Sequence, residues 1–427
     1  MINLILFGTF FIMLLLNIPI AVSLGSSAIL AMLYAHDPFT VISTNVYNGM
    51  AKFLLLAIPF FVLSGNIMAK AGISTRLVNF IDDCVGHRRG GIAIVCVIVA
   101  CFFGAISGSG PATVAAIGGL TIPTMIKQGY DTGYSGAIAA AAGSIGVVIP
   151  PSIPMVMYSV ATGASVGALF LGGIVPGLII GLSLMLYTKW YCTKRQYINK
   201  ESQPFSWRTV GHSLADGIWA LLVPVIILGG IYGGIFTPTE AAAVAVAYGL
   251  IIGAFVYKEL KFKDLVGIFA NASLTTATIM IILGTANTFG RILTMQKVPG
   301  HIAAFFQSIT DSRIVILLLI NLLLLFVGCF METNAAIIIL APIFLPVVQA
   351  MGVDPVHFGI VMVINLAIGF ITPPLGVNLF VAANVAQTTL GKICRGIVPI
   401  IGVMILDLML FTYLEPIVMF LPRLVYG

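Results

Sequence analysis

The chain has 427 residues, of which 60% are hydrophobic and 8% charged, and its mean hydropathy is +1.13. That balance excludes a water-soluble domain, and apolar runs of spanning length from end to end describe an all-α polytopic membrane protein rather than a β-barrel of short alternating strands. The net charge of +6 comes without a basic stripe interleaved with aromatics, which excludes a nucleic-acid binder.

The first apolar run reads as one retained span over 3–34, too long for a signal-peptide core and without a basic lead or clean cleavage site. A span at 43–68 follows, so residues 1–71 form a first scaffold portion. Residues 72–91 form an arm in which Leu77, Phe80, Ile81 and Cys84 share one helical face between Arg76 and Arg88-Arg89, as in helices that lie in the interface plane. Residues 92–126 are apolar but interrupted by GAISGSGPAT. Each part is too short to cross about 30 Å at about 1.5 Å per residue, so the segment reads as a re-entrant helical hairpin with its tip at 107–111. The next span, 133–162, is broken around Pro150-Pro151, and 92–162 make a first transport core.

A span at 166–190 (portion 163–192) leads to a polar cytoplasmic loop at 193–215. Spans at 216–236, 239–257 and 264–290 fill a second scaffold portion, 216–291. The middle one opens on FTPTEAAAVA, which reads as a capping box of Thr237, Pro238 and Glu240. The second arm, 292–313, sets Ile302, Phe305, Phe306 and Ile309 at helical spacing. A second hairpin, 314–349, is interrupted by GCFMETNAA with its tip at 330–334. A second broken span, 356–384, turns at Pro373-Pro374, and 314–384 make the second core. The last span, 396–421 within 385–427, carries Asp407, read as a buried hydrogen-bond partner or a subunit contact. Six cysteines without CxxC or zinc spacing read as small buried hydrophobes. Five histidines, read as lying in connections, offer no metal pair.

The two parts of the chain repeat. Pro150-Pro151 and Pro373-Pro374 are 223 residues apart, as are Pro123 and Pro346 and the GIVP runs ending at Pro176 and Pro399. If each hairpin returns to its own side, 15 of the 20 Lys and Arg residues, among them Arg88, Arg89 and Lys200, gather on one face. Lys52, Arg291, Lys297, Arg313 and Arg423 gather on the other. The first face is then cytoplasmic, the N-terminus lies inside, the C-terminus outside, and the repeats are inverted.

The prolines supply chemistry. A proline cannot donate to the carbonyl four residues back, so Pro150 frees Gly146, Pro151 frees Val147, Pro154 frees Pro150, Pro373 frees Gly369 and Pro374 frees Phe370. Bare carbonyls are costly in hydrocarbon, and a desolvated Na⁺ seeks such oxygens. The hairpin tips add Ser107, Ser109, Glu332, Thr333 and Asn334. Short helices aim positive ends at the same place, which suits an anion. The plainer alternative is a pair of kinks satisfied by water, Ser152 or Thr372.

GAISGSGPATVAAIG, GVVIPPSIPMVMY, FTPTEAAAVA, GCFMETNAAIIILAPIFLP and ITPPLGVNLFVA resemble the large membrane (DctM-like) subunit of tripartite ATP-independent periplasmic (TRAP) transporters, over the whole chain. The resemblance implies an elevator-type transporter with scaffold and transport domains, coupled to Na⁺. It would take up an organic anion, first a sialic acid (N-acetylneuraminate) and then a C4-dicarboxylate, across a bacterial inner membrane. It implies two partners, a small four-helix (Q-type) membrane subunit and a periplasmic (P-type) substrate-binding protein. The small subunit is expected as a separate chain, because this one opens on the first large-subunit span. By position, one Na⁺ site would use Ser107, Gly108, Ser109, Gly110, Gly146, Val147 and Pro150. The other would use Gly328, Glu332, Thr333, Asn334, Gly369 and Thr372. The substrate would lie near Ser107, Ser152 and Asn378. The rival readings are a channel, disfavoured by the inverted repeat and two closed tips, and a stand-alone symporter. An enzyme is disfavoured because no HExxH and no Asp-rich diphosphate motif is present, and the absence of a Walker-type nucleotide loop argues against direct ATP drive.

Overall fold

The computed structural model describes residues 1–36, 38–197, 205–310 and 312–427, apart from the side chains of Ala303 and Gln307. Lys200 and residues 198–204 of the polar loop lie outside the described residues. Among the described residues every regular element is helical. Six helices among the described residues are long and apolar enough to cross a membrane: Phe53–Lys70, Val166–Lys194, Trp207–Tyr232, Pro238–Val256, Phe262–Met295 and Leu390–Tyr413. The chain is a multi-pass membrane protein, as its composition requires.

The expected span at 3–34 is instead two helices, α1 (Ile2–Leu15) and α2 (Ile20–Ala35), packed side by side. Pro19 has no N–H to continue a helix, and Asn17 sits at φ +61. The chain therefore reverses at 16–19, and Met1 and His36 end on the same side of the pair. The expected N-terminus inside rested on one crossing there and loses that support. The expected span at 43–68 is likewise divided, into α3 (Thr40–Met50), a short 3-10 turn, and α4 (Ala57–Lys70).

The arm α5 (Ile73–Val85) is helical, as its apolar face requires. Arg76 pins it, bonding Glu259 at 2.6 Å and Asp216 at 3.3 Å and lying 3.7 Å over the Tyr257 ring. The first hairpin is α6 (Gly91–Ser107), then α7 (Gly110–Thr113), which continues through a π turn into α8 (Gly119–Lys127). The first broken span is α9 (Thr132–Ile145) and α10 (Ile153–Thr162).

The long α11 (Val166–Lys194) follows. Gly173, Gly177 and Gly181 form a bare stripe on it. A Cβ at Gly173 would meet the Val148 carbonyl at 2.5 Å, one at Gly177 would meet Ile149 at 2.4 Å, and one at Gly181 would meet the Cys101 sulfur at 2.9 Å. Beside that stripe Leu178, Leu182 and Leu186 stand exposed, as a lipid-facing ridge does. So α11 lies tight against the first core.

Helix α12 (Trp207–Tyr232) starts nine residues before the expected 216 and takes 207–215 from the expected loop, while α13 (Pro238–Ile251) and α14 (Phe262–Met295) follow the expected spans. The Thr237–Glu240 capping box is formed, with Glu240 Oε2 accepting from the Thr237 N–H at 2.8 Å. The second arm is α15 (Val298–Ile309), and the second hairpin is α16 (Arg313–Gly328) and α17 (Thr333–Gln349). The second broken span is α18 (Pro355–Gly369) and α19 (Val377–Val385). The last span ends earlier than expected. α20 (Leu390–Tyr413) stops at Leu414, and α21 (Glu415–Tyr426) is a separate helix held by Arg313 and Arg423 on Glu415.

His212 in α12, His301 in α15 and His357 in α18 correct the placement of the histidines in connections. His357 alone of these is buried. It lies in the first turn of α18, with its Nε2 2.8 Å from the Phe411 carbonyl. The described cysteines are all free.

Candidate functional site

The first hairpin turns at Gly108, whose φ of +59 suits a residue without a Cβ. A Cβ there would also meet the Pro151 carbonyl at 2.8 Å. Ser107 closes α6 and its Oγ lies 3.0 Å from the Thr113 Oγ1. Thr113 in turn donates to the Ser109 carbonyl at 2.8 Å. These oxygens stand against Gly146 at the break of the facing span: a Cβ on Gly146 would meet the Thr113 Oγ1 at 2.6 Å and the Ser109 carbonyl at 3.3 Å. Three hard oxygens thus gather beside a backbone that is itself open, for among the described residues nothing donates to the carbonyls of Gly146 or Pro150. The Val147 carbonyl, by contrast, accepts from Ser152 Oγ, which also caps α10.

The second tip is built differently. Glu332 caps α17, accepting from the Ala335 N–H at 3.1 Å and the Asn334 amide at 2.7 Å. Thr333 is buried, with its Oγ1 3.5 Å from the Leu366 carbonyl. The carbonyls freed by Pro373 and Pro374 were expected to be bare, and they are not. Gly369 accepts from the Thr372 N–H at 3.1 Å and Phe370 from the Asn378 N–H at 3.1 Å. The Thr372 bond is of the 3-10 type that free helix termini adopt, whereas the Asn378 bond reaches back eight residues across the break. Each of these oxygens keeps one further lone pair. The Thr372 hydroxyl bonds the Ile368 carbonyl at 2.7 Å. Both Pro–Pro bonds are cis.

Between the tips lies a cavity of about 640 Å³. Ser107, Gly108, Ser109, Gly110 and Val147 reach it from the first core, and Glu332 and Asn334 from the second. Gly146, Pro150, Gly328, Thr333, Gly369 and Thr372 are not on its wall. Neither are Ser152 and Asn378, expected beside the substrate. Both are fully buried, Ser152 on the Val147 carbonyl and Asn378 donating to the Ala140 carbonyl at 3.1 Å, one layer behind the wall. First-turn residues of five helices line the cavity: Ile20 of α2 and, from the four helices at the tips and breaks, Gly110 of α7, Pro154 of α10, Asn334 of α17 and Val377 of α19. Their positive ends converge on a space whose described wall holds Glu332 and no Lys or Arg.

The opposite wall comes from α4, with Asn66, and α14, with Thr275 and Thr278. Sequence reasoning missed these three and Thr113. Asn66 is a lone amide in an apolar span, and Thr275 and Thr278 share one helical face, so a search for intramembrane polar groups finds them. Thr113 has no such signal, since position 336 in the second repeat is alanine. Asp407 finds the bland partner expected of it, with Ser183 Oγ donating to its Oδ1 at 2.9 Å. Among the described residues no cluster of His, Cys, Asp and Glu could hold a metal ion.

The family described as the tripartite ATP-independent periplasmic transporter, DctM component, matches residues 7–417. The chain is 49% identical over 97% of its length to the isethionate TRAP transporter permease protein DctMQ of Oleidesulfovibrio alaskensis, and it spans 66% of that protein. It is 41% identical to the C4-dicarboxylate TRAP transporter large permease protein DctM of Pseudomonas aeruginosa, over 94% of each chain. To the sialic acid TRAP transporter large permease protein SiaM of Vibrio cholerae it is 39% identical, over 90% of this chain and 89% of that one. Among solved structures, the Alcanivorax borkumensis YdaH transporter superposes with a TM-score of 0.60 at 15% identity, covering 90% of this chain and 88% of that one. That likeness is one of fold.

Proposed function

The chain belongs to the DctM family of tripartite ATP-independent periplasmic transporters, and we propose that it is the subunit through which an organic anion crosses the bacterial inner membrane on a Na⁺ gradient. It is a permease subunit and not an enzyme. The observation that carries the reading is the convergence of five helix N-termini on the cavity between the tips, with the oxygens of Ser107, Ser109 and Thr113 set against Gly146 behind it. Positive helix ends suit an acid group. Carbonyls at half-helix C-termini suit a hard monovalent cation.

The cation at the first tip would use Ser107, Ser109 and the open Gly146 carbonyl, with Thr113 added to the expected set. At the second tip Glu332, Thr333 and Asn334 stand near Gly328 and Gly369, whose carbonyls would serve through remaining lone pairs. The substrate would sit in the cavity itself, touching Ser107 and Asn334, with Ser152 and Asn378 shaping the wall from behind. Relatives named for isethionate, a C4-dicarboxylate and a sialic acid share an acid group, and that group is the substrate class we assign. Sialic acid, suggested by the motifs, is the finer candidate. A small membrane subunit and a periplasmic binding protein complete the assembly, as the word tripartite implies.

The two cores would form the moving unit of an elevator, with the inverted repeat giving its two orientations. Because α11 lies glycine-to-backbone against the first core, we place α11 in that unit rather than in the scaffold. On this reading the paired α1 and α2 put the N-terminus outside. The test is reconstitution of the chain with its two partners in liposomes, followed by uptake of labelled isethionate, a C4-dicarboxylate and N-acetylneuraminate. Uptake of one of them should need both partners and an inward Na⁺ gradient. Equal uptake with K⁺ in place of Na⁺, or by this chain alone, rejects the proposal.

A further inference from the structure

A second cavity, of about 410 Å³, lies between the scaffold and core helices. The same three helices line both cavities, in the same order. α14 gives Thr278 to the central one and Arg291 to the second, α10 gives Pro154 and then Val160, and α17 gives Asn334 and then Ile338. From Ile279 to Asn287 the rise along α14 is about 12 Å at 1.5 Å per residue. The second cavity is therefore the next chamber along α14, toward the end that the charge count places outside.

Its described wall carries two cations, Lys52 and Arg291, and no Asp or Glu. Lys52 Nζ donates to the Val160 carbonyl at 2.9 Å, at the last turn of α10. An ammonium has three donors, so two remain. Asn45 lines the same cavity. It is 7% exposed, and its amide nitrogen is buried without an acceptor. Asn287 Nδ2 fixes it in place by donating to its backbone carbonyl at 2.7 Å. A purely structural Lys52 would cap α10, but that does not account for a second cation, Arg291, on the same wall with no carboxylate facing either.

We propose that this cavity is an anion vestibule. Lys52 and Arg291 pair with the acid group of an incoming organic anion before the anion moves along α14 to the central cavity. The proposal rests on the reading that the chain transports an organic anion. The test begins with binding, which needs no transport. The purified full chain is treated with pyridoxal 5′-phosphate, itself a small anion, and borohydride, and the label on Lys52 is read by mass spectrometry. Lys52 should label. Isethionate, a C4-dicarboxylate or N-acetylneuraminate should suppress that label more than sodium chloride at the same ionic strength, and Arg291→Gln should abolish the difference. Suppression no greater than that by chloride overturns the vestibule.

The second arm uses the reconstituted assembly. Lys52→Gln and Arg291→Gln should raise the half-saturating substrate concentration on the order of fivefold and weaken its salt dependence, with the maximal rate kept, as loss of a steering charge does. Arg291→Lys should restore most of it. Wild-type transport matched by both Gln variants overturns the inference while the transport reading stands. Protected labelling without Na⁺-driven uptake supports the vestibule and rejects the transport reading. A loss that follows binding-protein concentration alone, with labelling unaffected by the acids, assigns the cations to docking of that protein and overturns the vestibule.

Discussion

Gly146 and Gly369 stand at the same point of the two broken spans, yet their carbonyls have different company. The first has no donor among the described residues, and the second accepts from Thr372. The positions were legible in the sequence because two proline pairs recur at one offset. The difference was not, because it depends on how each chain turns after its last helical residue. Ser152 and Thr372 show the same limit. Both were candidates to satisfy a freed carbonyl; Ser152 does so with its side chain, whereas Thr372 reaches Gly369 through its N–H and its hydroxyl bonds Ile368. What the two glycines share is contact. A Cβ on Gly369 would meet the Gly328 backbone at 2.6 Å, and one on Gly104 would meet the Gly146 Cα at 2.6 Å. Backbone cannot yield as a flexible side chain does. Gly369→Ala should therefore lower stability by about 1–3 kcal/mol, the cost of overpacking. Gly391→Ala, where a Cβ meets nothing within 4 Å, should leave the melting temperature of the purified protein unchanged.

The Thr113 hydroxyl joins Ser107 and Ser109 beside Gly146, and on the proposed reading it is a cation ligand or holds one. Thr113→Ala and Ser107→Ala should each raise the Na⁺ concentration for half-maximal uptake severalfold, with the protein still folded. Thr113→Ser should largely restore it. Unchanged Na⁺ dependence in both alanine variants would remove the first tip from the cation site.

Elements were most legible where a polar break interrupts an apolar run. GAISGSGPAT and GCFMETNAA set the hairpin turns within a few residues, and the arms followed from one apolar face each. The failures were at 3–34, 43–68 and 396–421, where a turn carries little polarity. The run 3–34 was read as one span, and nothing in the apolar pattern around Pro19 separates a kink from a reversal. The structure decides it, since α1 and α2 lie side by side. In a background without native cysteines, Asn3→Cys and His36→Cys should react with a membrane-impermeant maleimide from the same side of oriented vesicles. Asn17→Cys should react from the other. Opposite sides for positions 3 and 36 would restore the single span.

At the scale of the whole molecule the question is which helices travel together. Each tip is closed by its own turn, and the cavity between them is walled on one side by α4 and α14. A substrate held there leaves only if a tip opens or the core slides along that wall. Two cross-links with opposite expected outcomes separate these cases. Gly181 on α11 faces Cys101 on α6, with a Cβ position 2.9 Å from the sulfur. Gly181→Cys should form a disulfide with Cys101. If α11 moves with the first core, the oxidised protein should transport at the rate of the reduced one. Lys52 precedes α4 on the scaffold side and touches Val160 of α10 on the core side, at 2.9 Å through its side chain. Lys52→Cys with Val160→Cys, joined by a short bifunctional thiol reagent, should stop transport. Cleaving the linker should restore the rate of the unlinked double variant, whatever that rate is. Transport that survives a verified 52–160 link would exclude a sliding core and leave gating by the tips. Transport stopped by the 101–181 disulfide would return α11 to the fixed scaffold, and the glycine stripe on α11 would then be a sliding surface rather than a bond.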